Sequence, residues 1–133
     1  IDALTNAGHQ VEISHQLEKG VANANVIYQT RIQEERFESQ AEADKYRGAF
    51  RINKSLVDTN CQPGAVIMHP LPRDSRLAAN ELDNDLNNEP NLAIFRQTDN
   101  GLLVRMALFA CLLGVENKLK DYECDVPWQV GLK

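Results

Sequence analysis

The stretch His69–Arg73, which reads HPLPR, could hold a ligand with fixed backbone carbonyls and one cation. It follows the apolar run Ala65–Met68, and this pattern is typical of a buried strand. The two prolines can continue neither a strand ladder nor a helix, so the chain must leave the sheet in a stiff loop. Each proline also restricts the residue before it, here His69 and Leu71, toward extended geometry. Arg73 then follows a strand's carboxyl end, where open α/β sheets bind ligands.

A second apolar run upstream leads into a similar loop. Asn25–Tyr28 reads as a buried strand and precedes a polar segment that contains Arg31, Gln33 and Glu35. From the residues alone, Arg31 is a surface arginine and Gln33 a solvated amide. Glu35, four residues after Arg31, forms a local surface ion pair worth under ~1 kcal/mol. Two predicted strands therefore end in polar, arginine-bearing loops.

The elements that must position these loops alternate between strand and helix patterns. Such alternation predicts an α/β domain with a parallel sheet. A third, short strand is predicted over His9–Ile13. The predicted helices are one that ends before Gly8, one over His15–Val21 capped by Ser14, a polar one over Gln40–Phe50, a short one capped by Asn53, one turn near Leu77–Leu82, and a long one over Leu102–Gly114.

Composition narrows the class of protein. The chain has 133 residues, 43% of them hydrophobic and 25% charged, which is ordinary for a soluble globular domain. A net charge of −5 argues against a nucleic-acid partner, which would require a basic stripe. No apolar run reaches the roughly 18 residues of a membrane span. Cys61, Cys111 and Cys124 lack metal-ligand spacing, so we expect reduced thiols, with Cys111 in the core.

Together, the segments 28–37 and 69–73 resemble aspartate carbamoyltransferase. A third segment, Phe95–Leu108, is similar to the C-terminal helix of that family, and the three motifs keep the family's order and spacing. The resemblance covers about residues 8–114. It implies a three-layer Rossmann-like α/β domain with a parallel sheet, in which residues 1–117 form a partial aspartate-binding domain and 118–133 a C-terminal tail. Three strand patterns are few for a parallel sheet, so we expect a part of a longer protein.

The resemblance also implies an activity and its partners. The family transfers a carbamoyl group from carbamoyl phosphate to L-aspartate, giving N-carbamoyl-L-aspartate and phosphate in pyrimidine biosynthesis. It needs no metal and no organic cofactor. Its groups that bind phosphate and polarise the carbonyl belong to a carbamoyl-phosphate domain without a counterpart here, so we expect no catalytic residue in this chain. The family forms homotrimers, sometimes with a regulatory chain or fused to other pyrimidine enzymes. We expect a cytoplasmic protein, or one of an organelle stroma.

By the same resemblance, five residues bind substrate. Arg31 holds a carboxylate of aspartate, for which a guanidinium fork is well shaped. Gln33 helps to orient the amino group. His69 is assigned to the loop structure, although from the residues alone a hydrogen-bonded core histidine is the favoured interpretation. Beside Pro70, the carbonyls of His69 and Leu71 can orient an ammonium or carbamoyl NH2 group.

Three further residues are assigned supporting positions. Glu35 would hold Arg31 in its binding rotamer. Arg73 would be an ion-pair partner across the domain boundary, with direct contact to the ligand as the less favoured alternative. Arg105, in the predicted long helix, is either a surface cation or a contact near the site.

Two alternatives to this interpretation remain. Ornithine carbamoyltransferase shares the fold, but that family typically has cysteine where this chain has Pro70, and it lacks the arginine at Arg31. A non-catalytic homologue that acts as a scaffold or regulatory subunit is the second alternative. The retained Arg31, Gln33 and His69–Arg73 argue against it.

Overall fold

A short parallel sheet forms the centre of the fold. The computed structural model describes residues 1–76 and 79–122. Strand β1 covers Val26–Tyr28 and strand β2 covers Val66–Met68, and they pair in parallel with Val26 opposite Val66. The predicted α/β class with a parallel sheet is confirmed.

Helices and isolated bridges surround this sheet. Parallel bridges join Ile67 to Leu92, beside β2, and Ile52 to Leu82. In the described part of the chain the helices are α1 (Asp2–Asn6), α2 (Leu17–Val21), α3 (Gln40–Asp44), α4 (Lys54–Asn60) and α5 (Ile94–Leu112), with 3-10 helices at Glu34–Arg36, Asn84–Leu86 and Glu116–Tyr122.

The residues predicted to begin or end three of the helices do so in the structure. The Asn53 side chain accepts a hydrogen bond of 2.8 Å from the Leu56 amide and so caps α4. Gly8 and Gly114, with φ of 88° and 64°, follow the ends of α1 and α5 in conformations that glycine adopts without penalty.

Residues 9–16 depart from prediction. No strand forms over residues 9–13, where Val11 and Ile13 are 39% and 65% exposed. An alternating pattern makes a strand only beside a partner, and in residues 1–76 and 79–122 no neighbouring strand lies there. Ser14 does not cap a helix either. Its hydroxyl accepts from the Gln16 amide, and α2 begins only at Leu17.

Two other helix predictions were wrong in extent. The polar helix expected over Gln40–Phe50 ends at Asp44, and the chain then turns through Gly48, whose φ is 70°. The helical turn expected near Leu77–Leu82 includes Leu77 and Ala78, which lie outside the described residues. Leu82 itself lies in a parallel bridge to Ile52, and its side chain is buried in the core.

One apolar cluster holds the sheet, α2, α4 and the start of α5 together. Burial of each Val, Leu or Ile side chain in it contributes about 1.5–3 kcal/mol. The segment 74–90 is rich in Asn and Asp, yet it supplies Leu82 and Leu86 to this cluster. Its buried members are Val21, Ile27, Ile52, Ala65, Ile67, Leu82, Leu86, Leu92 and Ile94.

The long helix α5 is mostly uncovered in this chain. Only Ile94 and Ala110 are buried, whereas Phe109 and Leu112 are 63% and 73% exposed. The expectation that Cys111 is a core residue was wrong, because it lies on the exposed part of α5. None of the described helices is both long and apolar enough to cross a bilayer.

Candidate functional site

A cleft of about 720 Å³ opens at the carboxyl ends of β1 and β2. The hydrogen bond from the Gln29 amide to the Met68 carbonyl, 2.9 Å, carries the pairing of the strands to its edge. The cleft is lined by both loops that follow the strands. Its lining residues are Thr30, Arg31, Ile32, Gln33, Arg36, Phe37, His69, Pro70, Leu71 and Pro72.

The structure thus brings together all five residues that were predicted to bind substrate. Arg31 and Gln33 come from the loop after β1, and His69, Pro70 and Leu71 from the loop after β2. The carboxyl ends of adjacent parallel strands meet at one edge of the sheet, so the strand pairing accounts for this proximity. Their roles toward a substrate stay predictions.

Arg31 is available to a ligand. Its nearest acidic partner is Glu35, with 3.7 Å between Nη2 and Oε1, and the two side chains are 50% and 60% exposed. A pair this long and this exposed contributes little. Within residues 1–76 and 79–122 the Arg31 guanidinium makes no hydrogen bond, so its donors can reach an anion in the cleft.

A network of ion pairs around Glu34 fixes the Arg31 loop. Arg47 donates two hydrogen bonds to the Glu34 carboxylate, at 2.9 and 3.0 Å, and Arg76 donates a third at 2.8 Å. Hydrogen bonding to Arg47, then Arg76, lowers the pKa of Glu34 to about 2. Glu34 opens the 3-10 helix that begins just after Gln33, so the network holds Gln33 at the cleft. Sequence reasoning missed it, because Arg47 and Arg76 are 13 and 42 residues away.

The low pKa of Glu34 predicts how acid affects stability. A carboxyl group with a depressed pKa in the folded state stabilises the protein above its ordinary pKa, here 4.5, and that contribution disappears as the pH falls toward about 2. We expect Glu34→Gln to be less stable than the parent at pH 7, with the difference shrinking between about pH 4.5 and 2. Urea unfolding across this range measures it. Glu18→Gln, which changes an exposed carboxylate on α2, is the control, and a pH-independent difference for Glu34→Gln would contradict the prediction.

The loop after β2 turns back on the ring of His69. His69 is 1% exposed, and its Nδ1 accepts a hydrogen bond of 2.9 Å from the Leu71 amide. Its Nε2 lies 2.7 Å from Oε1 of Glu81, which is 3% exposed. The assignment of His69 to loop structure therefore has a geometric basis. Glu81 was not predicted, since a glutamate in an Asn- and Asp-rich segment carries no local sign of burial.

Leu71 does not adopt the extended geometry expected before a proline. Its φ is 54°, in the left-handed region that residues other than glycine rarely occupy, and the Leu71–Pro72 peptide bond is cis. A left-handed residue of this kind costs of order 1–3 kcal/mol and persists only where surrounding contacts impose it. The hydrogen bond to His69 is one such contact.

Gln97, in the first turn of α5, ties the two strand ends to the helix. Its Oε1 accepts from the His69 amide at 3.1 Å, and its Nε2 donates to the Tyr28 hydroxyl at 3.1 Å. One side chain thus spans the ends of β1 and β2. This contact also was not predicted, because its partners lie 28 and 69 residues away.

None of the three supporting residues is among those that line the cleft. Arg73 donates to the Asn87 side chain at 2.9 Å and lines a neighbouring cavity. Arg105 donates to the Gly101 carbonyl of its own helix at 3.0 Å. Glu35 lies beside Arg31 as expected. Among the described residues, no group of three acidic, His or Cys side chains is arranged to hold a metal ion.

A parallel sheet whose two strand-end loops enclose a cation-bearing cleft defines an α/β ligand-binding domain. Comparison with known families makes this class specific. The model for "Aspartate/ornithine carbamoyltransferase, Asp/Orn binding domain" matches residues 2–112, and the chain belongs to this family.

Among its relatives is the aspartate carbamoyltransferase catalytic subunit of Saccharophagus degradans, 56% identical over 96% of this chain and 38% of that protein. The corresponding subunit of Cellvibrio japonicus is 55% identical over 100% of this chain and 39% of its own length. The chain therefore spans under two fifths of these relatives.

Solved structures of similar fold belong to the same family. Aspartate transcarbamoylase from Trypanosoma cruzi in complex with N-(phosphonacetyl)-L-aspartic acid superimposes with a TM-score of 0.67 at 27% identity, covering 81% of this chain and 32% of that one. The same enzyme in complex with carbamoyl aspartate and phosphate gives a TM-score of 0.67 at 28% identity, over 81% of this chain and 33% of that one. The Rossmann-like carbamoyltransferase fold is confirmed.

Proposed function

We propose that this chain is the aspartate-binding part of an aspartate carbamoyltransferase. The whole enzyme would transfer the carbamoyl group of carbamoyl phosphate to L-aspartate, giving N-carbamoyl-L-aspartate and phosphate for pyrimidine biosynthesis. The observation that supports this most is the cleft in which Arg31 and Gln33 face the loop His69–Pro72. The relatives named as aspartate carbamoyltransferases add to it.

The cleft supplies binding groups of both kinds that aspartate requires. The Arg31 guanidinium would pair with a carboxylate, and Gln33 would orient the amine. Within the described ranges 1–76 and 79–122, the carbonyls of His69 and Leu71 accept no hydrogen bond, so they can accept from an ammonium or carbamoyl NH2 group. Pro70, between them, stiffens the backbone that carries both.

The reaction would use this cleft for positioning. The amine of aspartate attacks the carbonyl carbon of carbamoyl phosphate, and phosphate leaves. A bound aspartate held by Arg31, Gln33 and fixed carbonyls presents its amine at a set position, which replaces a bimolecular encounter by an oriented one. The groups that bind phosphate and stabilise the oxyanion would come from a carbamoyl-phosphate domain.

Aspartate is a better substrate for this cleft than ornithine. Ornithine brings an ammonium group where aspartate brings its second carboxylate, and a cation at Arg31 would repel it. Pro70 stands where the ornithine enzymes carry cysteine. The matched family includes both substrates, so this choice rests on Arg31 and Pro70 and on the names of the relatives.

Assembly and location are part of the proposal. By resemblance, the full-length protein would form a homotrimer in the cytoplasm or an organelle stroma, with or without a regulatory chain or fused enzymes. Two relatives have suggestive names: "Multifunctional protein CAD" of Squalus acanthias, and "Aspartate carbamoyltransferase, chloroplastic" of Arabidopsis thaliana. Residues 1–117 would be the domain and 118–133 its tail, although one 3-10 helix, Glu116–Tyr122, crosses this division and 123–133 lie outside the described residues.

A chimera tests the function. This chain would replace the matching 38% of the Saccharophagus degradans protein, and carbamoyl transfer would be assayed with aspartate and with ornithine. We expect transfer to aspartate by the chimera and none by the 133-residue chain alone.

Each alternative has its own outcome in this assay. Preferred use of ornithine by the chimera would support the sister enzyme. A folded chimera inactive with both amines would support the non-catalytic homologue. Turnover by the chain alone would contradict the proposal that a carbamoyl-phosphate domain supplies the groups that bind phosphate and stabilise the oxyanion.

A further inference from the structure

We propose that Glu81 is a positioning residue for the substrate cleft: it selects the His69 tautomer that holds the Leu71 backbone in place. This inference rests on the proposed function, since the Leu71 carbonyl is assigned there to the bound substrate. Neither Glu81 nor the tautomer has a part in that assignment.

The hydrogen bonds fix where the His69 proton lies. The Leu71 amide donates to Nδ1 over 2.9 Å, so Nδ1 must offer a lone pair and carries no proton. A neutral imidazole then has its proton on Nε2, which lies 2.7 Å from Oε1 of Glu81. A doubly protonated ring would place two N–H groups against each other at Leu71. The arrangement thus requires a neutral ring with the proton on Nε2.

Glu81 acts as an acceptor in each of its contacts. Besides His69, the Asp74 amide lies 3.3 Å from both carboxylate oxygens. Glu81 and His69 are the buried polar side chains of the described part of the chain, at 3% and 1% exposure. Burial of a polar group without a hydrogen bond destabilises the folded protein. A carboxylate, which only accepts hydrogen bonds, keeps the proton of the His69 ring on Nε2.

The pair of His69 and Glu81 sets the conformation of the loop His69–Pro72, which lines the cleft. Leu71 has a φ of 54°. The hydrogen bond from its backbone N–H to the His69 ring, two residues earlier, holds this conformation. Strained backbone of this kind is concentrated at ligand-binding sites. A ring with its proton on Nδ1 would repel the Leu71 amide, the turn would open, and the Leu71 carbonyl would leave the position that Gln33 and Arg31 face across the cleft.

Two replacements of His69 separate the contacts of its ring. In His69→Asn the amide oxygen can replace Nδ1 and accept from Leu71, whereas in His69→Gln the longer side chain can replace Nε2 and keep the contact with Glu81. In the chimera we expect His69→Asn to hold KM for aspartate within about threefold of the parent. His69→Gln should raise it roughly three- to tenfold more than His69→Asn does, the effect of one lost hydrogen bond. KM for carbamoyl phosphate should stay unchanged in both.

Glu81→Gln tests the partner directly. Its single amide oxygen can serve the His69 Nε2–H or the Asp74 amide but not both fully, and its NH2 group can turn to the ring and favour the other tautomer. We expect KM for aspartate to rise roughly threefold. In chimera labelled with ¹⁵N-histidine, the His69 signal, assigned by its loss in His69→Asn, should show protonated Nε2 and bare Nδ1. Glu81→Gln should show a mixture.

The outcomes separate the two proposals. An unsubstituted chimera inactive with aspartate would refute the proposed function. An active chimera in which His69→Gln and His69→Asn have equal KM for aspartate would refute the positioning role alone. If either His69 variant fails to fold, Glu81→Gln decides: an unchanged KM for aspartate or an unchanged tautomer overturns the inference, and a raised KM together with mixed tautomers supports it.

Discussion

Replacement of Arg31 by alanine in the chimera is expected to lower kcat/KM for aspartate roughly ten- to 150-fold, because a hydrogen bond to a charged group contributes about 1.5–3 kcal/mol. Arg31 lies in the cleft with no protein hydrogen bond in the described residues, so its removal costs the fold little. Steady-state kinetics with varied aspartate measure the effect. Binding of carbamoyl phosphate should be unchanged.

Two controls sharpen this test. Arg31→Lys keeps the charge but loses the planar fork, and should lie between alanine and the parent. Arg96→Ala removes a guanidinium on α5 that does not line the cleft, and should leave kcat/KM for aspartate unaltered. Near-normal use of aspartate by Arg31→Ala would exclude Arg31 from the site.

The exposed surface of α5 predicts the behaviour of the 133-residue chain in isolation. Val104, Phe109, Leu112 and Leu113 are 64%, 63%, 73% and 73% exposed. Stable monomers rarely expose apolar patches above a few hundred Å², so we expect the chain to bind a hydrophobic dye and to self-associate. We expect that in a longer protein a further domain would cover this surface. Dye fluorescence and sedimentation velocity would measure both effects.

Substitution on α5 provides the control. Val104→Gln with Leu112→Gln should reduce dye binding and association while circular dichroism keeps its helical signal, because neither side chain packs in the core. Asn100→Gln, on the same helix, should change neither. A dye-silent, monodisperse parent chain with a sharp thermal transition would show that α5 is covered from within.

Sequence signals that act over a few residues predicted the fold well. Two apolar runs gave β1 and β2 within one residue, and Asn53 and Gly114 marked a helix start and a helix end. The five residues predicted to bind substrate came from the resemblance of the motifs after those strands to a known family, because the residues alone indicated only surface side chains at Arg31 and Gln33. Periodicity placed the start of α5 eight residues late, at Leu102 instead of Ile94, because Thr98, Asn100 and Gly101 are weak helix formers. The resemblance of Phe95–Leu108 to the family's C-terminal helix placed this start within one residue.

Signals that depend on distant partners were missed. An apparent strand over His9–Ile13 found no neighbour in the described chain. From its sequence neighbours Glu34 is an ordinary surface acid, and its hydrogen bond with Arg76 joins residues 42 positions apart. The burial of Glu81 depends on a histidine 12 residues earlier, and nothing near it in sequence indicates the contact. Each of these is decided by tertiary structure, which periodicity does not encode.

The contact between Tyr28 and Gln97 joins residues 69 positions apart, and it can form only when the sheet and α5 have both formed. The strand ends from which the two cleft loops start are therefore held by the tertiary structure of the domain. Any ligand of the cleft must then stabilise the entire domain by mass action, by about 2.7 kcal/mol at a concentration one hundred times its Kd. Calorimetric melting of the chimera in rising concentrations of aspartate would report occupancy of the cleft without any turnover.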